Sequence, residues 1–308
     1  ELIVINHPSD LVSNKPRAIA LGFFDGIHVG HREIIKNAGI YAKEKGITST
    51  VLSFIDFPTK ESKTILSIEE RIKILSSMGI DEFIVIRFLD EVKGMMPEDF
   101  YKFFLIGKFN AKALFTGEDY SFGRGGKGTI ELLSKLAQED DIYIDAVPDI
   151  KMYDRRISST WIRSLLDEGD MRLVSELLGG ADYSVRGPII VGKKLGRTLG
   201  FPTINQIFPK DKYVCRLGVY RSLTVIDGVS YPSISNVGLR PTVEDSRNVN
   251  CETYIYNLDE DLYGKEARVI LVEFIRDEKK FSSSSELKAQ VDYDKVKVAN
   301  LWNVEISD

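Results

Sequence analysis

The feature that most restricts this chain is a change of hydrophobic period part-way along it. In the first half, short runs rich in β-branched and aromatic residues alternate with longer amphipathic stretches. RAIALGFF (17–24), STVLSF (49–54), DEFIVIRF (81–88), AKALFTG (111–117) and DIYIDAV (141–147) read as buried strands. Between them, HREIIKNAGIYAKEKG puts Ile34, Ile35, Ala38 and Ala42 on one helical face, IEERIKILSSMG does the same with Ile68, Ile72 and Leu75, and PEDFYKFFLIGKF opens with proline. Strand and helix in alternation predict a parallel sheet with right-handed crossovers, which binds ligands at the carboxyl ends of its strands. ISSTWIRSLLDEG and DMRLVSELLGG follow as two short helices, capped by Ser158 or Ser159 and by Asp170. From Tyr183 the pattern is strands and turns: SVRGPIIVG, GVYRSLTVIDGVSYPSISNVG with Asp227-Gly228 as a hairpin turn, CETYIYN and ARVILVEFIR. These predict an antiparallel sheet or small barrel. A last helix starts in SSSSELKAQVDYDKVKVANLW, where Ser283 and Glu286 have the spacing of a capping box. The boundary falls near 181–184, dividing the chain into domains 1–182 and 183–308.

A chain of 308 residues that is 43% apolar can fill two cores. Its 41 Lys and Arg against 46 Asp and Glu leave a formal charge of −5, so it lacks the general positive field that suits nucleic acid or an anionic membrane. Its expected partners are small molecules, with no nucleic acid and no membrane, and any phosphate must be held locally. Oligomeric state is not legible. Cys215 and Cys251 form no CxxC and have no histidine nearby, which argues against zinc and against a disulfide framework. No run of 18 apolar residues and no leader pattern is present, which predicts an intracellular, cytoplasmic protein.

GFFDGIHVGH (22–31) holds two of the three histidines at a strand-to-helix junction. Free backbone N–H groups and the positive end of the helix dipole make such a turn an anion site, to which His28 and His31 add donors. Its glycines are expected to let the backbone turn tightly. The alternative is a glycine turn whose histidines merely cap the helix. The stretch resembles the GxFDGxHxGH signature of nucleotidyltransferases, and in particular of the bacterial bifunctional riboflavin kinase/FAD synthetase family. That resemblance implies that His28 and His31 hold the phosphates of ATP during nucleotidyl transfer, with Gly22, Phe23, Asp25 and Gly30 in the same ATP-binding turn.

Three further stretches carry the likeness through the first domain. SFIDFP (53–58) stands where the family reads TFxPHP, which implies flavin contacts from Phe54, Phe57 and Pro58, although Asp56 and Phe57 replace the family's Pro and His. GEDYSFGRGGKG (117–128) resembles GxDFxFGxxxxG, placing Asp119 with ATP and Tyr120 with the flavin. Gly123, Gly125 and Gly128 also spell GxGxxG, with Asp145 downstream. A dinucleotide fingerprint is rejected because six residues separate the strand from Gly123. ISSTWIR (157–163) matches ISSTxIR, so that Ser159, Thr160 and Arg163 become donors to the triphosphate, Arg163 with a catalytic role; taken alone it is an ordinary helix start. The implied acceptor, the phosphate of FMN, is already an anionic nucleophile, so positioning and charge neutralisation are needed and a general base is not. Mg²⁺ bound mainly by ATP is expected.

In the second half, GPIIVGKKLGRTLGFPTIN (187–205) resembles the riboflavin kinase signature. Gly192, Gly196 and Gly200 with Lys193, Lys194 and Arg197 make a basic glycine-rich loop that suits a triphosphate, or else a solvated turn. In PTIN, Thr203 and Asn205 are two apart on an extended segment and face the same way, ready to hold Mg²⁺. NVGLRPT (236–242), CETYIYN (251–257), DLYG (261–264) and RDEKKF (276–281) follow in family order, implying a flavin contact from Arg276. Riboflavin presents a neutral 5′-hydroxyl, so its phosphorylation benefits from a base, and the resemblance gives that role to Glu252, which also contacts flavin. Tyr254 stands where some relatives have His, and Asp294 in QVDYD reads as structural.

The resemblance implies an α/β nucleotidyltransferase domain with a Rossmann-like parallel sheet, followed by an antiparallel β-barrel riboflavin kinase domain with a C-terminal helix. The implied activities are ATP-dependent phosphorylation of riboflavin to FMN and adenylylation of FMN to FAD. Two alternatives are a nucleotidyltransferase acting on another phosphorylated acceptor, and an inactive flavin- or ATP-binding regulator. The kinase-like second half speaks against the first, and a retained base, Glu252, against the second.

Overall fold

The apolar runs of the first half pair into one all-parallel sheet. The computed structural model describes residues 1–55, 63–87, 89–190, 202–239, 249–258, 260 and 262–306, and divides into two compact units, Glu1–Ser159 and Thr160–Asp308. In the first, β1 (Leu2–Ile5), β2 (Arg17–Leu21), β3 (Thr48–Ile55), β4 (Glu82–Arg87), β5 (Ala111–Gly117) and β6 (Tyr143–Val147) lie in the order β1-β4-β3-β2-β5-β6, and every pairing is parallel. Five of these are the expected strands. The sixth, β1, is a four-residue edge strand that the sequence reading missed. From β2 the chain proceeds first through β3 and β4 on one side and then to β5 on the other. The switch point of the sheet is therefore between β2 and β5, where such sheets open a crevice.

Helix α1 (Val29–Lys45) turns Ile34, Ile35, Ala38 and Ala42 inward, as its period requires, and stops at Gly46 with φ +65°. These side chains pack on one face of the sheet against Ala18, Ala20, Val51, Val85 and Phe115. Helix α2 (Ile68–Ser77) begins with a complete capping box between Ser67 and Glu70. Beyond the one-turn α3 (Asp90–Lys93), α4 (Pro97–Phe100) has proline in its first turn and continues through Tyr101–Lys108 in wider, π-type turns. It covers the opposite face, where Phe100, Tyr101 and Phe104 join Ile19, Leu52 and Ile84. Helix α5 (Ile130–Glu139) adds Leu133 to that layer. At the amino ends of the strands, the buried pair Arg17–Glu82 (2.7 Å) ties β2 to β4. A small hairpin, β7 (Lys151–Met152) and β8 (Arg155–Arg156), leads to α6 (Ser159–Glu168).

In the second unit, β9 (Ser184–Pro188), β10 (Ile204–Ile207), β11 (Gly218–Ile226), β12 (Val229–Leu239), β13 (Val249–Ile255) and β14 (Glu266–Asp277) form an antiparallel sheet ordered β10-β13-β12-β11-β14-β9. A bridge between Ile190 and Asn205 brings its two edges together, so the sheet is a nearly closed barrel. The β11–β12 hairpin turns at Asp227 (φ +49°) and Gly228 (φ +82°), both left-handed as a two-residue turn demands. The barrel interior carries a hydroxyl chain, in which Ser222 bonds Ser233 and Ser235, and these bond Thr224 and Thr253, at 2.7–2.8 Å. The outer face of Val219, Ile234 and Tyr256 is covered by Val298, Ala299 and Trp302 of α8 (Ser284–Trp302). Ser283 caps α8, but the carboxylate of Glu286 returns to Ser282 N–H (2.9 Å) instead of Ser283, so the expected box is displaced by one residue. Before the barrel, α7 (Met171–Leu177) starts at its expected cap, Asp170, and packs on β14.

Candidate active sites

Strand β2 ends at Leu21, and the chain then runs through Gly22–His28 into α1, beside the switch point. The expected glycine turn is corrected in one respect. The left-handed positions are Phe24 (φ +47°) and Ile27 (φ +42°), whereas Gly22 and Gly30 provide room. A Cβ on Gly22 would meet the Phe24 ring at 2.8 Å, and one on Gly30 the His28 ring at 3.2 Å. His28 caps α1: its Nδ1 accepts the His31 N–H at 3.2 Å. That bond leaves Nδ1 unprotonated, so the ring proton of a neutral His28 is on Nε2, a donor suited to a phosphate oxygen. The His28 and His31 rings are stacked with centroids 3.5 Å apart. Burial, reinforced by His31, pushes His28 down to about 3, and burial pushes His31 down to about 4, with Asp25 opposing both shifts. His31 Nδ1 is buried without a hydrogen-bond partner among the described residues.

Asp25 joins two distant motifs. Its carbonyl accepts from Leu66 N–H (3.0 Å) and its buried carboxylate accepts the Ser159 hydroxyl (2.5 Å). Thus GFFDGIHVGH and the start of ISSTWIR meet through residues 25 and 159. Exposed Phe23 and half-buried Phe54 are aromatic neighbours (5.7 Å) at the carboxyl ends of β2 and β3. Asp119, past the end of β5, pairs with Arg156, which also reaches Asp149 at 3.0 Å. Arg156 was not among the expected residues; no spacing in the sequence marks it. The Tyr120 ring is stacked on Phe122 (5.9 Å), with its hydroxyl buried and lacking a partner among the described residues. Gly123 and Gly128 serve packing: a Cβ on Gly123 would strike Pro97, and one on Gly128 the Phe122 ring, each at 2.7 Å. Thr160 and Arg163 are on α6 within the second unit; Thr160 is exposed, and the Arg163 guanidinium lies 5.5 Å from the Tyr213 ring. Phe57 and Pro58 lie outside the described residues.

The second candidate site is made by strand register. Asn205 of β10 and Asn236 of β12 are the direct partners of Glu252 on β13, so the three side chains stand on one face. Asn250, two residues before Glu252, shares that face. Its Nδ2 donates to Asn205 Oδ1 (3.1 Å) and to Glu252 Oε1 (3.4 Å). Asn205 Nδ2 reaches the Thr203 carbonyl (3.5 Å). Over Gly238, the partner of Asn250, lies the Glu278 carboxylate, where a Cβ would also meet Asn236 Nδ2 at 3.1 Å. Asn236, Asn250 and Glu278 received no role from the sequence; the even spacing of residues 250 and 252 was the one readable sign. The Arg276 guanidinium donates to Asp294 of α8 (2.6 and 2.9 Å) and to the Asp277 carbonyl (2.8 Å), fastening β14 to the helix. Gly192, Lys193, Gly196 and Arg197, with Lys194 and Gly200, lie outside the described residues, as do 240–242 of NVGLRPT and Asp261. Among the described residues no group of three or more His, Cys, Asp or Glu is arranged to hold a metal.

Comparison with known proteins covers both units. Residues 11–161 match the FAD synthetase family model and residues 179–302 the riboflavin kinase family model. Proteins named bifunctional riboflavin kinase/FMN adenylyltransferase are 32% identical over 301 residues in Listeria monocytogenes and 32% identical over 308 residues in Bacillus subtilis, each match covering 95% of both chains. The one in Escherichia coli K12 is 30% identical, over 90% of both chains. A crystal structure described as a macrolide-efflux protein from Streptococcus pneumoniae superposes with a TM-score of 0.85 at 29% identity, covering 97% of this chain and 99% of that one. With relatives matched over 95% of both chains and a family model on each half, the chain belongs to the bifunctional riboflavin kinase/FMN adenylyltransferase family.

Proposed function

We propose that the chain phosphorylates riboflavin to FMN and then adenylylates FMN to FAD with release of pyrophosphate, with residues 183–308 performing the first step and 1–182 the second. The observation that carries this reading is the contrast between the two sites: stacked neutral histidines that offer ring N–H donors at His28 and His31, and a carboxylate that accepts an amide NH₂ at Glu252. In the first, an FMN phosphate oxygen attacks the α-phosphorus of ATP, and the bond to the pyrophosphate oxygen breaks. His28 Nε2–H, His31, the free N–H groups opening α1, Ser159, Thr160 and Arg163 take up charge on the phosphates. Gly22, Phe23, Asp25, Gly30 and Asp119 shape the nucleotide turn, while Phe54, Phe57, Pro58 and Tyr120 offer aromatic and apolar surface to the flavin.

In the second, Glu252 accepts the proton of the riboflavin 5′-hydroxyl as its oxygen attacks the γ-phosphorus and ADP departs. Gly192, Lys193, Gly196 and Arg197 hold the nucleotide, and Arg276 borders the flavin. Thr203 and Asn205 supply neutral oxygens beside one carboxylate, a hard-oxygen set that fits Mg²⁺. When bound, Mg²⁺ would neutralise charge on the phosphates. No described helix is long and apolar enough to cross a membrane, and we place the enzyme in the cytoplasm with small molecules as its partners. The efflux description of the structural relative belongs to that protein; both family models point to flavin nucleotides.

The test is incubation with riboflavin, ATP and Mg²⁺ followed by chromatography of the flavins. FMN is expected first and FAD after it. Glu252→Gln is expected to stop FMN formation yet convert supplied FMN to FAD, and His31→Ala to let FMN accumulate. No FMN from the unaltered chain sinks the kinase assignment, and equal loss of both activities in either variant contradicts two separate sites.

A further inference from the structure

Asn250 belongs to none of the motifs above, yet it joins the two oxygens that the kinase chemistry depends on most. It is 7% exposed. Its side chain lies between Asn205 Oδ1 and Glu252 Oε1 and donates to both. The orientation of the amide is fixed by chemistry. An ionised carboxylate only accepts, so the end of Asn250 turned toward Glu252 is its NH₂, and the atom of Asn205 facing that NH₂ is therefore its oxygen. Among the described residues the Asn205 side chain has one other hydrogen bond, the long one from its Nδ2 to the Thr203 carbonyl (3.5 Å). Both bonds require the same orientation of the Asn205 amide, and the shorter one, from Asn250, is the one made to the oxygen that is presented. Since an amide oxygen has two lone pairs, Asn205 Oδ1 can accept from Asn250 and still ligate a cation. Glu252 is exposed, and the same NH₂ restrains a carboxylate that would otherwise sample several rotamers.

A second observation separates this side chain from ordinary packing. Asn250 Oδ1 is buried and has no hydrogen-bond partner among the described residues. An unmet buried acceptor opposes folding, so stability alone does not account for an asparagine here.

We infer that Asn250 is a positioning residue of the kinase site, holding the metal-ligand oxygen of Asn205 and the base oxygen of Glu252 in a fixed mutual geometry. This rests on the kinase reading of Thr203, Asn205 and Glu252. It acts through those residues and touches no reacting atom itself. Partners of this kind that orient metal ligands typically contribute roughly 10- to 100-fold in metal affinity or activity.

The experiment uses the full chain with Asn250→Leu, which keeps the approximate shape, and Asn250→Ala. Three quantities are read: FMN formation against Mg²⁺ concentration, Mn²⁺ binding in the presence of ADP, and FAD formation from supplied FMN. In both variants the half-saturating Mg²⁺ for FMN formation is expected to rise about tenfold or more, with one class of Mn²⁺ sites weakening on the same scale. FAD formation should be unchanged. Unshifted half-saturating Mg²⁺ and unshifted Mn²⁺ affinity would overturn the inference. So would a loss of Mn²⁺ sites without weakening of those that remain, since that reports an unfolded barrel. Failure of the unaltered chain to make FMN would instead defeat the kinase reading, and the Mn²⁺ titration, which needs no turnover, tells the two failures apart.

Discussion

Stacked His28 and His31 are held in their neutral forms by burial, and this has a thermodynamic consequence. In the unfolded chain both titrate near 6.5, whereas in the folded chain they are pushed down to about 3 and about 4. Between those values and 6.5 the unfolded state binds more protons than the folded one. Stability is therefore full above about pH 7 and falls as the pH is lowered through this window, by up to about 1.4 kcal/mol per pH unit for each histidine. The melting temperature of the first unit is expected to drop between pH 7.5 and pH 5, and the drop to shrink in the His28→Asn, His31→Asn double variant. The same pH dependence in both proteins would contradict the assignment. That these histidines belong to one site was legible from their spacing. Their stacking and neutrality were not, because both depend on what surrounds them.

At the scale of elements, the β2–α1 junction shows why a motif's glycines need the structure to be understood. Gly30 is in α1 with no left-handed φ, so alanine there is acceptable to the helix. What alanine changes is space: its Cβ would lie 3.2–3.3 Å from the His28 imidazole, so that ring must give way by a few tenths of an ångström. Gly30→Ala is expected to slow FAD formation from FMN by roughly tenfold, leaving FMN formation and the melting temperature nearly unchanged. An unaltered adenylylation rate would show that the exact placement of the His28 ring is dispensable. In the barrel, CETYIYN was readable as a strand, but β13 begins at Val249, and that earlier start is what puts Asn250 on the same face as Glu252. Which strands lie beside that face was not readable, because a one-residue slip of β10 or β12 would turn Asn205 or Asn236 to the other side.

The whole molecule has two boundaries of different origin. Helical period gives way to strand period near 181–184, while the compact units divide at Ser159/Thr160. Helices α6 and α7 explain the difference. The Leu166 carbonyl accepts Arg216 N–H (2.8 Å), the Glu168 carbonyl accepts Arg216 Nη1 (3.1 Å), and Gly169 (φ +84°) lies so close to the Phe274 ring that a Cβ would meet it at 3.0 Å. A fragment of residues 160–308 is therefore expected to melt at a higher temperature than one of residues 183–308. Equal melting temperatures would mean that these contacts contribute little to the barrel.

The sequence by itself determined the kind and order of the longer elements and the motifs at their ends, though not the short β1, α3 and β7–β8, because period, capping and turn chemistry act between residues a few positions apart. Tertiary structure alone decided which of those motifs share a site. The Ser159–Asp25 bond spans 134 residues and the Asn250–Asn205 bond spans 45. Contacts over such distances are set by strand order and register, which depend on packing the two cores as wholes and leave no local trace in the chain.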